Sequence, residues 1–402
     1  MYEIGQEEID AVAAVLRSGQ LFRYRGGEGG QADACEKRLA ELCGCQYALV
    51  VTSGTAALIC ALVGLGIGPG DEVIVPAYTW LASAGAVLNV GAIPVLANAD
   101  ETLTLDPADF ERRIGPRTKA VIPVHMGGRP ANMDAILAVA RRHGLHVLED
   151  ACQAIGGSYR GRRLGAIGDA GAFSFNQYKN ITCGEGGALL TNDRRIYERA
   201  LYCHDMGCTF RSHAGTLTEQ PFLGNTFRMN EILCAVLRVQ LDRMDGILAR
   251  LRERRGWFLA AVQAAKAPLV AAPSADAAGD CGNSATFLFA SAETRAAVGA
   301  RAKAIEPACN LNSPIDSGLH VYTNWSVLIN RQGGFCPAMN PFLRAENQAC
   351  RTQITADTCP ETLAILARTG CIGIGINWTR QQCETIAGAL CQGARDTAAA
   401  GG

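Results

Sequence analysis

The stretch YALVVTSGTAALICALVGLGIGPGDEVIVPAYTW, residues 47–80, decides the fold class. It has the pattern of strand, turn, helix, turn and strand, because two apolar runs rich in β-branched residues flank a helical segment. Three further short apolar runs follow along the chain: 92–100, 119–128 and 146–154. Helical stretches such as ANMDAILAVARRHG (131–144) separate them, and this alternation is typical of parallel strands that are buried on both faces. The sequence therefore predicts an α/β domain over about residues 35–245.

The segments on either side of this domain have helical periodicity. Apolar residues recur at helical spacing in 7–20 and 32–46, and a long amphipathic stretch covers 230–265. We place the boundary inside that last stretch, which gives a large domain over 1–245 and a smaller C-terminal domain over 246–402. The final DTAAAGG (396–402) has the composition of a frayed tail.

Composition excludes several classes of protein. The 402 residues are 49% hydrophobic and 19% charged with a net charge of −1, which is unlike a disordered chain or a general nucleic-acid binder. No apolar run is long enough to span a membrane, and the N-terminal MYEIGQEEID does not resemble a secretion signal, so we expect a cytoplasmic protein. The 17 cysteines lack the paired spacing of zinc sites; we expect most to be buried apolar residues and predict no metal site.

Residues 52–55 (TSGT) lie between an apolar strand and a predicted helix. A glycine and hydroxyl groups at a helix N-terminus leave free N–H groups that favour a phosphate. The alternative is an ordinary helix cap by Ser or Thr. The later glycines in GLGIGPG (64–70) follow a helix rather than a strand, and we interpret them as a helix stop and turn.

Two further candidate site residues are an acid, Asp150, and an amine, Lys179. Asp150 ends the apolar run HVLED, where a buried carboxylate needs a cationic partner such as a pyridinium nitrogen; the alternative is a helix cap. Lys179 stands between the strand AFSF and a glycine-rich turn in GAFSFNQYKNITCGEGG (171–187). A desolvated lysine there could form a Schiff base; the alternative is a surface lysine. A phosphate cradle, an acid for a ring nitrogen and an amine for an aldehyde are together what pyridoxal phosphate requires.

With these motifs in view, the sequence resembles the DegT/DnrJ/EryC1/StrS family of pyridoxal-phosphate-dependent sugar and aminocyclitol aminotransferases. The resemblance is carried in order by seven motifs: TSGTAAL (52–58), GPGDEVIVPAYTW (68–80), PVHMGGRPANMD (123–134), EDACQA (149–154), GAFSFNQYK (171–179), GEGGALLT (184–191) and FRMNE (227–231). It implies the fold type I transferase architecture, with a central mostly parallel sheet in the large domain and a smaller C-terminal α+β domain. It also implies pyridoxal 5′-phosphate as cofactor.

The resemblance implies a role for each matching residue. Lys179 corresponds to the Schiff-base lysine, and Asp150 to the acid that pairs with the pyridine nitrogen. Gln153 corresponds to the residue that bonds the ring hydroxyl, and Trp80 to the aromatic side chain that stacks on the ring. Three further residues correspond to phosphate ligands: Gly54, Thr55 and Ser174.

One position departs from the family pattern. The family usually has G-x-N-[FY]-R-M, in which the Asn reaches the phosphate of the neighbouring subunit, whereas this chain has Thr226 at that position, after Asn225. Either residue could replace the amide. The motif as a whole implies a homodimer with shared active sites.

The resemblance also implies the reaction. An amino acid, glutamate or glutamine, would donate the amino group to a keto-sugar or keto-cyclitol, as in amino sugar, aminoglycoside or other natural-product biosynthesis. The alternatives are an eliminase, epimerase or cyclase acting on an amino acid and, less favoured, a non-enzymatic cofactor-binding sensor. Eight further side chains are candidates for substrate contacts, each with packing as an alternative: Arg23, Tyr24, His125, Arg129, His320, Tyr322, Asn324 and Trp325.

Overall fold

The computed structural model describes residues 3–24, 29–208 and 211–401. The helices are α1 (Gln6–Ser18), α2 (Gln31–Cys43), α3 (Gly54–Gly64), α4 (Ala82–Asn89), α5 (Pro107–Arg112), α6 (Met133–His143), α7 (Arg194–His204), α8 (Glu231–Ala265), α9 (Ala292–Ile305), α10 (Pro314–Ser317), α11 (Ser326–Ile329), α12 (Pro360–Ala367) and α13 (Arg380–Gly401). The strands are β1 (Tyr47–Val51), β2 (Glu72–Pro76), β3 (Ile93–Ala97), β4 (Thr118–Val121), β5 (His146–Asp150), β6 (Ser158–Tyr159), β7 (Arg162–Arg163), β8 (Ala170–Ser174), β9 (Gly187–Thr191), β10 (Val270–Ala271), β11 (Ser284–Leu288) and β12 (Thr369–Gly373).

Seven strands form the main sheet in the order β1-β9-β8-β5-β4-β2-β3. The pairs β8–β5, β5–β4, β4–β2 and β2–β3 are parallel, whereas β9 pairs antiparallel with both β8 and β1. Apolar side chains from both faces are buried, as the continuous apolar runs predict. The predicted α/β class with a mostly parallel sheet is confirmed.

Local sequence signals set the ends of the helices around the sheet. The Ser53 hydroxyl caps α3 by accepting a hydrogen bond from the Ala56 N–H, and the Asn132 side chain caps α6 in the same way through Ala135. Gly144 ends α6 with a φ of 64°, a left-handed conformation that favours glycine. The Ser53 and Asn132 caps lie on the chain after β1 and β4, whereas Gly144 lies before the start of β5.

A smaller sheet, β10-β11-β12, packs with α9, α13 and the second half of α8 around a separate apolar core. Helix α8 is 35 residues long and crosses the boundary predicted at 245/246, so it connects the two parts without an interruption. The division into domains over 1–245 and 246–402 stays a prediction. The expectation of a frayed tail is wrong, because α13 continues to Gly401.

The segment 313–359 reaches the smaller sheet only through a small contact of α10 with β12, and much of the rest packs on the main sheet. It consists of α10, α11 and short 3-10 turns, and its residues Val321, Tyr322 and Trp325 are buried in the core of the main sheet. The Tyr322 hydroxyl donates to the Ala356 carbonyl and accepts from the Cys359 N–H at 3.1 Å. The structure thus anchors a C-terminal segment on the large domain, beside the loop that follows β2.

All 17 cysteines are free thiols, and most are buried, as the sequence predicts. Across the described ranges, no helix combines the length and the apolar character that crossing a bilayer requires.

Candidate active site

The predicted residues meet at the carboxyl ends of β1, β5 and β8. A Cβ atom added to Gly54, the first residue of α3, would lie 2.8 Å from the Cys152 Sγ and 2.8 Å from the Ser174 Cβ. The start of α3 therefore contacts both Cys152, which follows Asp150 by two residues, and the end of β8. Only glycine fits at position 54, because any side chain would displace two neighbours.

The start of α3 has the features of an anion cradle. The Ser53 hydroxyl accepts from the Ala56 N–H at 3.1 Å, which satisfies one of the free donors of the first turn. In the part of the chain that the structure describes, the N–H groups of Gly54 and Thr55 have no protein acceptor. The Ser174 hydroxyl faces the same place and accepts a long hydrogen bond, 3.4 Å, from the Asn176 N–H.

Asp150 is 5% exposed and stands at the end of β5. One carboxylate oxygen accepts from the Cys152 N–H at 3.1 Å, and the other accepts from the Ser83 hydroxyl at 2.7 Å. No lysine, arginine or histidine among the described residues forms an ion pair with it. A buried carboxylate held by neutral donors suits a cation that a bound group brings, such as a pyridinium nitrogen.

Sequence reasoning missed Ser83. This residue lies in α4, its hydroxyl is also 2.8 Å from that of Thr79, and both residues are fully buried. The signal in the sequence was the pair of hydroxyl residues at a spacing of four, which places both on one face of a helical turn. That spacing is common in helices, and it does not indicate that one of the hydroxyl groups binds a carboxylate.

Lys179 is half-buried in a loop that leaves β8 and returns to β9. Its N–H donates to the Asn176 carbonyl at 3.0 Å, and the Gln177 N–H donates to the Gly184 carbonyl at 3.0 Å. The charge of Lys179 affects the pKa of two neighbours. Burial and the charge of Asp150 raise the pKa of the Cys152 thiol, and the Lys179 ammonium opposes that rise. Burial and the Lys179 ammonium both lower the pKa of His320. Lys179 therefore lies beside Cys152 and His320, at the centre of the site.

Gln153, Trp80 and His320 form the wall opposite the strand ends. The Gln153 side chain accepts from the Gly127 N–H at 3.0 Å and lies 3.3 Å from the His320 Nε2. The Trp80 ring is 49% exposed and lies 5.6 Å from the His320 ring, at an angle of 60°. Half of a large indole thus faces open space within the site, where a flat ring can stack.

Asn225 and Thr226 precede Phe227, whose carbonyl accepts from the Thr52 N–H at 2.9 Å beside the start of α3. The Asn225 N–H donates to the Cys203 carbonyl at 2.6 Å, and Thr226 pairs with Asp205 in an isolated bridge. Successive side chains of an extended segment point to opposite faces, so only one of the two can face a given ligand. Both side chains are exposed, as a contact to another subunit requires.

Of the eight loop candidates, one lies in the site and four have a packing role. His320 joins the site, whereas His125 is fully buried and hydrogen-bonds Glu149 at 3.0 Å. Arg23 forms a buried ion pair with Glu36, and Tyr322 and Trp325 belong to the core. For these four residues packing, the alternative given above, is the role that the geometry supports.

The site fits pyridoxal phosphate on its own geometry. Four features match the parts of the cofactor. The buried Asp150 carboxylate, without a cationic partner among the described residues, matches the ring nitrogen, and the nearby lysine matches the aldehyde. The open N–H groups of Gly54 and Thr55 match the phosphate, and the half-exposed indole of Trp80 matches the ring face. The model of the DegT/DnrJ/EryC1/StrS aminotransferase family matches residues 2–306. The chain belongs to this family.

Relatives and solved structures agree with this assignment. The chain is 42% identical over 267 residues to the spore coat polysaccharide biosynthesis protein SpsC of Bacillus subtilis (strain 168), covering 65% of this chain and 67% of SpsC. It is 45% identical over 224 residues to the GDP-perosamine synthase of Caulobacter vibrioides, covering 56% and 59% of the two chains. The alignments thus span about three fifths to two thirds of these relatives.

A structural match extends further along the chain. The X-ray structure of S. venezuelae DesV in complex with a ketimine intermediate superposes with a TM-score of 0.75 and 31% identity, covering 96% of this chain and 94% of DesV. The predicted fold type I architecture, the cofactor pyridoxal phosphate and the aminotransferase class are confirmed by these comparisons.

Proposed function

We propose that this aminotransferase moves an amino group from glutamate or glutamine to the keto group of a sugar, and that Lys179 and Asp150 are its catalytic residues. The observation that carries the proposal is the buried Asp150 carboxylate without a described cationic partner, close to the lysine of the loop after β8. Both residues stand at positions that match the motifs of the family to which the chain belongs.

Pyridoxal phosphate, when bound, supplies an aldehyde that captures amines and a ring that withdraws electrons from the bond broken at the substrate carbon. The Asp150 carboxylate keeps a proton on the ring nitrogen, because a cation in this buried place is stabilised by the adjacent negative charge. Ser83 and the Cys152 N–H hold the carboxylate in position. The Lys179 amine would hold the cofactor and, when free, would serve as the group that moves a proton between the substrate carbon and the cofactor carbon.

The remaining residues bind and orient. Gly54 and Thr55 offer N–H groups, and Ser174 a hydroxyl group, to the phosphate. The indole of Trp80 stacks on one face of the ring, and the side chain of Gln153 reaches the ring hydroxyl. These contacts fix the plane of the ring against the strand ends, so that the Lys179 amine meets the same carbon in both halves of the reaction.

The names of the relatives support a sugar as acceptor. One is a polysaccharide biosynthesis protein and another a GDP-perosamine synthase. We propose a keto-sugar, carried on a nucleotide, as the acceptor class, and a keto-cyclitol as the competing one. The amino donor and the acceptor are both small molecules, and a cytoplasmic location stays a prediction.

A homodimer with shared active sites is part of the proposal. An apolar groove of about 680 Å³ lies between α1 and the loop that carries Lys179, with Ile9 and Leu16 on one side and Gln177 and Gly184 on the other. Ile9 is 57% and Leu16 55% exposed in the single chain. An open apolar surface that adjoins an active-site loop favours a second copy as its cover.

The visible absorption spectrum of the purified protein tests the reaction. Adding L-glutamate or L-glutamine should convert the band of the bound aldehyde form into that of pyridoxamine phosphate and release one oxo acid per site. A keto-sugar nucleotide should then restore the first band. A spectrum that ignores both donors while an amino acid is eliminated or epimerised would overturn the proposal in favour of those reactions.

A further inference from the structure

The side-chain amide of Gln153 is fixed between two partners. The Gly127 N–H donates to its Oε1 at 3.0 Å, so the amide oxygen is assigned to that side. The amide nitrogen then faces the Nε2 of His320, at 3.3 Å. Since an amide nitrogen only donates, the imidazole Nε2 must accept, and the proton of a neutral His320 lies on Nδ1.

The position of His320 is itself determined by the large domain. Its carbonyl accepts from the Thr79 N–H at 3.0 Å, and the next residue, Val321, bridges to Tyr78. The imidazole ring packs against the rings of Trp80 and Tyr78, at 5.6 and 6.4 Å. The main chain and the two aromatic rings therefore hold the imidazole in one orientation.

Two titratable groups face His320. One is the ammonium of Lys179, on the loop after β8, and the other is the phenol of Tyr78, on the loop after β2. Burial and the positive charge of Lys179 lower the pKa of His320, which favours the neutral imidazole at pH 7. This direction agrees with the acceptor role that the hydrogen bond to Gln153 requires.

We propose that neutral His320 is a positioning residue, which fixes the amide of Gln153 so that its second N–H points at the ring hydroxyl of the bound cofactor. This inference rests on the proposed role of Gln153. The first N–H of the amide donates to His320, and the oxygen is occupied by Gly127, so one donor is left for the cofactor. His320 acts through Gln153 and does not touch the reacting atoms.

Protonation of His320 breaks this arrangement. The Nε2 atom becomes a donor and faces the donor nitrogen of the amide, so that bond is lost. A flip of the amide would repair it but would turn the nitrogen against the Gly127 N–H. The arrangement is complete above the pKa of His320 and is lost as the pH falls through it.

The affinity of the apoprotein for pyridoxal phosphate tests the inference without relying on turnover. His320→Leu removes the acceptor, whereas His320→Gln can place an amide oxygen where Nε2 stood and does not titrate. We expect His320→Leu to raise the Kd at pH 7.5 by about three- to tenfold, the effect of one lost hydrogen bond. His320→Gln should keep the Kd near its original value and remove the weakening that the unsubstituted protein shows as the pH falls below the ordinary histidine value of 6.5.

A double substitution separates positioning from general packing. If His320 acts through Gln153, His320→Leu should have no further effect in a Gln153→Leu background. His143→Asn is the matched control, because that exposed histidine ends α6 and pairs with Glu111 of α5. Additive effects of the two leucine substitutions, or an unchanged Kd in His320→Leu, would overturn the inference. Failure of the unsubstituted apoprotein to bind the cofactor would instead count against the proposed function.

Discussion

One wall of the site consists of Asp150 and Ser174, at the ends of β5 and β8, and Lys179, on the loop after β8. The other wall includes His320, which lies on the segment 313–359. The helices of that segment, α10 and α11, have four residues each. The first wall is positioned by the hydrogen bonds of a seven-stranded sheet. The second is positioned by the burial of Val321, Tyr322 and Trp325 in the core of that sheet.

The two walls differ in how easily their residues can change position. A residue at the end of a central strand can move only if the register of the sheet moves with it. A residue on a segment of short turns keeps its position through a few side chains and can change more easily. We therefore place the catalytic groups on the first wall and the positioning residue on the second.

The largest expected effect comes from the first wall. Lys179→Ala should abolish turnover and the visible absorption of the covalently held cofactor, because the chain then offers no amine at this place. Absorption spectroscopy and an amino-transfer assay measure both quantities. Turnover at the original rate would mean that another group carries out the role proposed for Lys179.

The next effect concerns the carboxylate at the end of β5. Asp150→Asn keeps the shape but removes the charge that holds a proton on the ring nitrogen, so kcat should fall by about 100- to 1000-fold. Ser83→Ala removes only one hydrogen bond to the same carboxylate, and about a three- to tenfold loss is expected. Equal losses in both variants would contradict a role based on charge.

The second wall should lose stability before it loses chemistry. Tyr322→Phe removes a buried hydroxyl that serves Ala356 and Cys359, and should lower the free energy of unfolding by about 1–2 kcal/mol. Because His320 then holds Gln153 less firmly, the Kd for pyridoxal phosphate should rise, by less than in His320→Leu, while kcat at saturating cofactor stays near its original value. Urea unfolding, cofactor titration and steady-state kinetics check these parts, and a large fall in kcat would show that the first wall moves with the second.

The smallest effect is expected at the exposed pair. Thr226→Ala and Asn225→Ala should differ, because the two side chains point to opposite faces and only one can reach a phosphate across the dimer. We expect about a threefold rise in the Kd for pyridoxal phosphate in one variant and none in the other. Equal values in both variants would indicate that neither side chain meets the phosphate.

The sequence predicted the first wall because its residues follow the ends of apolar runs. Parallel pairing brings those ends to one edge, so the positions of HVLED and AFSF in the chain are enough to place Asp150 and Lys179 together. His320 was one of eight loop candidates, and its neighbours Trp80 and Gln153 are distant in the chain. Periodicity carries no information about such contacts, which depend on where Tyr322 and Trp325 are buried.

Ser83 and the tail show two other limits. A serine in the first turn of a helix has the same local signal whether it faces solvent or a carboxylate, and only the packing of α4 beside β5 distinguishes the two. The tail DTAAAGG has the composition of a disordered end, yet α13 continues to Gly401. Alanine is the strongest helix former, and the three alanines of the tail outweigh the local preference of the glycine that follows them.

The antiparallel direction of β9 has a consequence for how the cofactor is captured. Ser174 at the end of β8 pairs with Gly187 at the start of β9, so the lysine-bearing loop is closed at its base by the sheet itself. The loop is therefore ordered when the protein folds, so its loss of chain entropy does not reduce the free energy of ligand binding. Capture of the aldehyde should accordingly follow simple second-order kinetics, with a rate that rises in proportion to ligand concentration and no slow ordering step behind it.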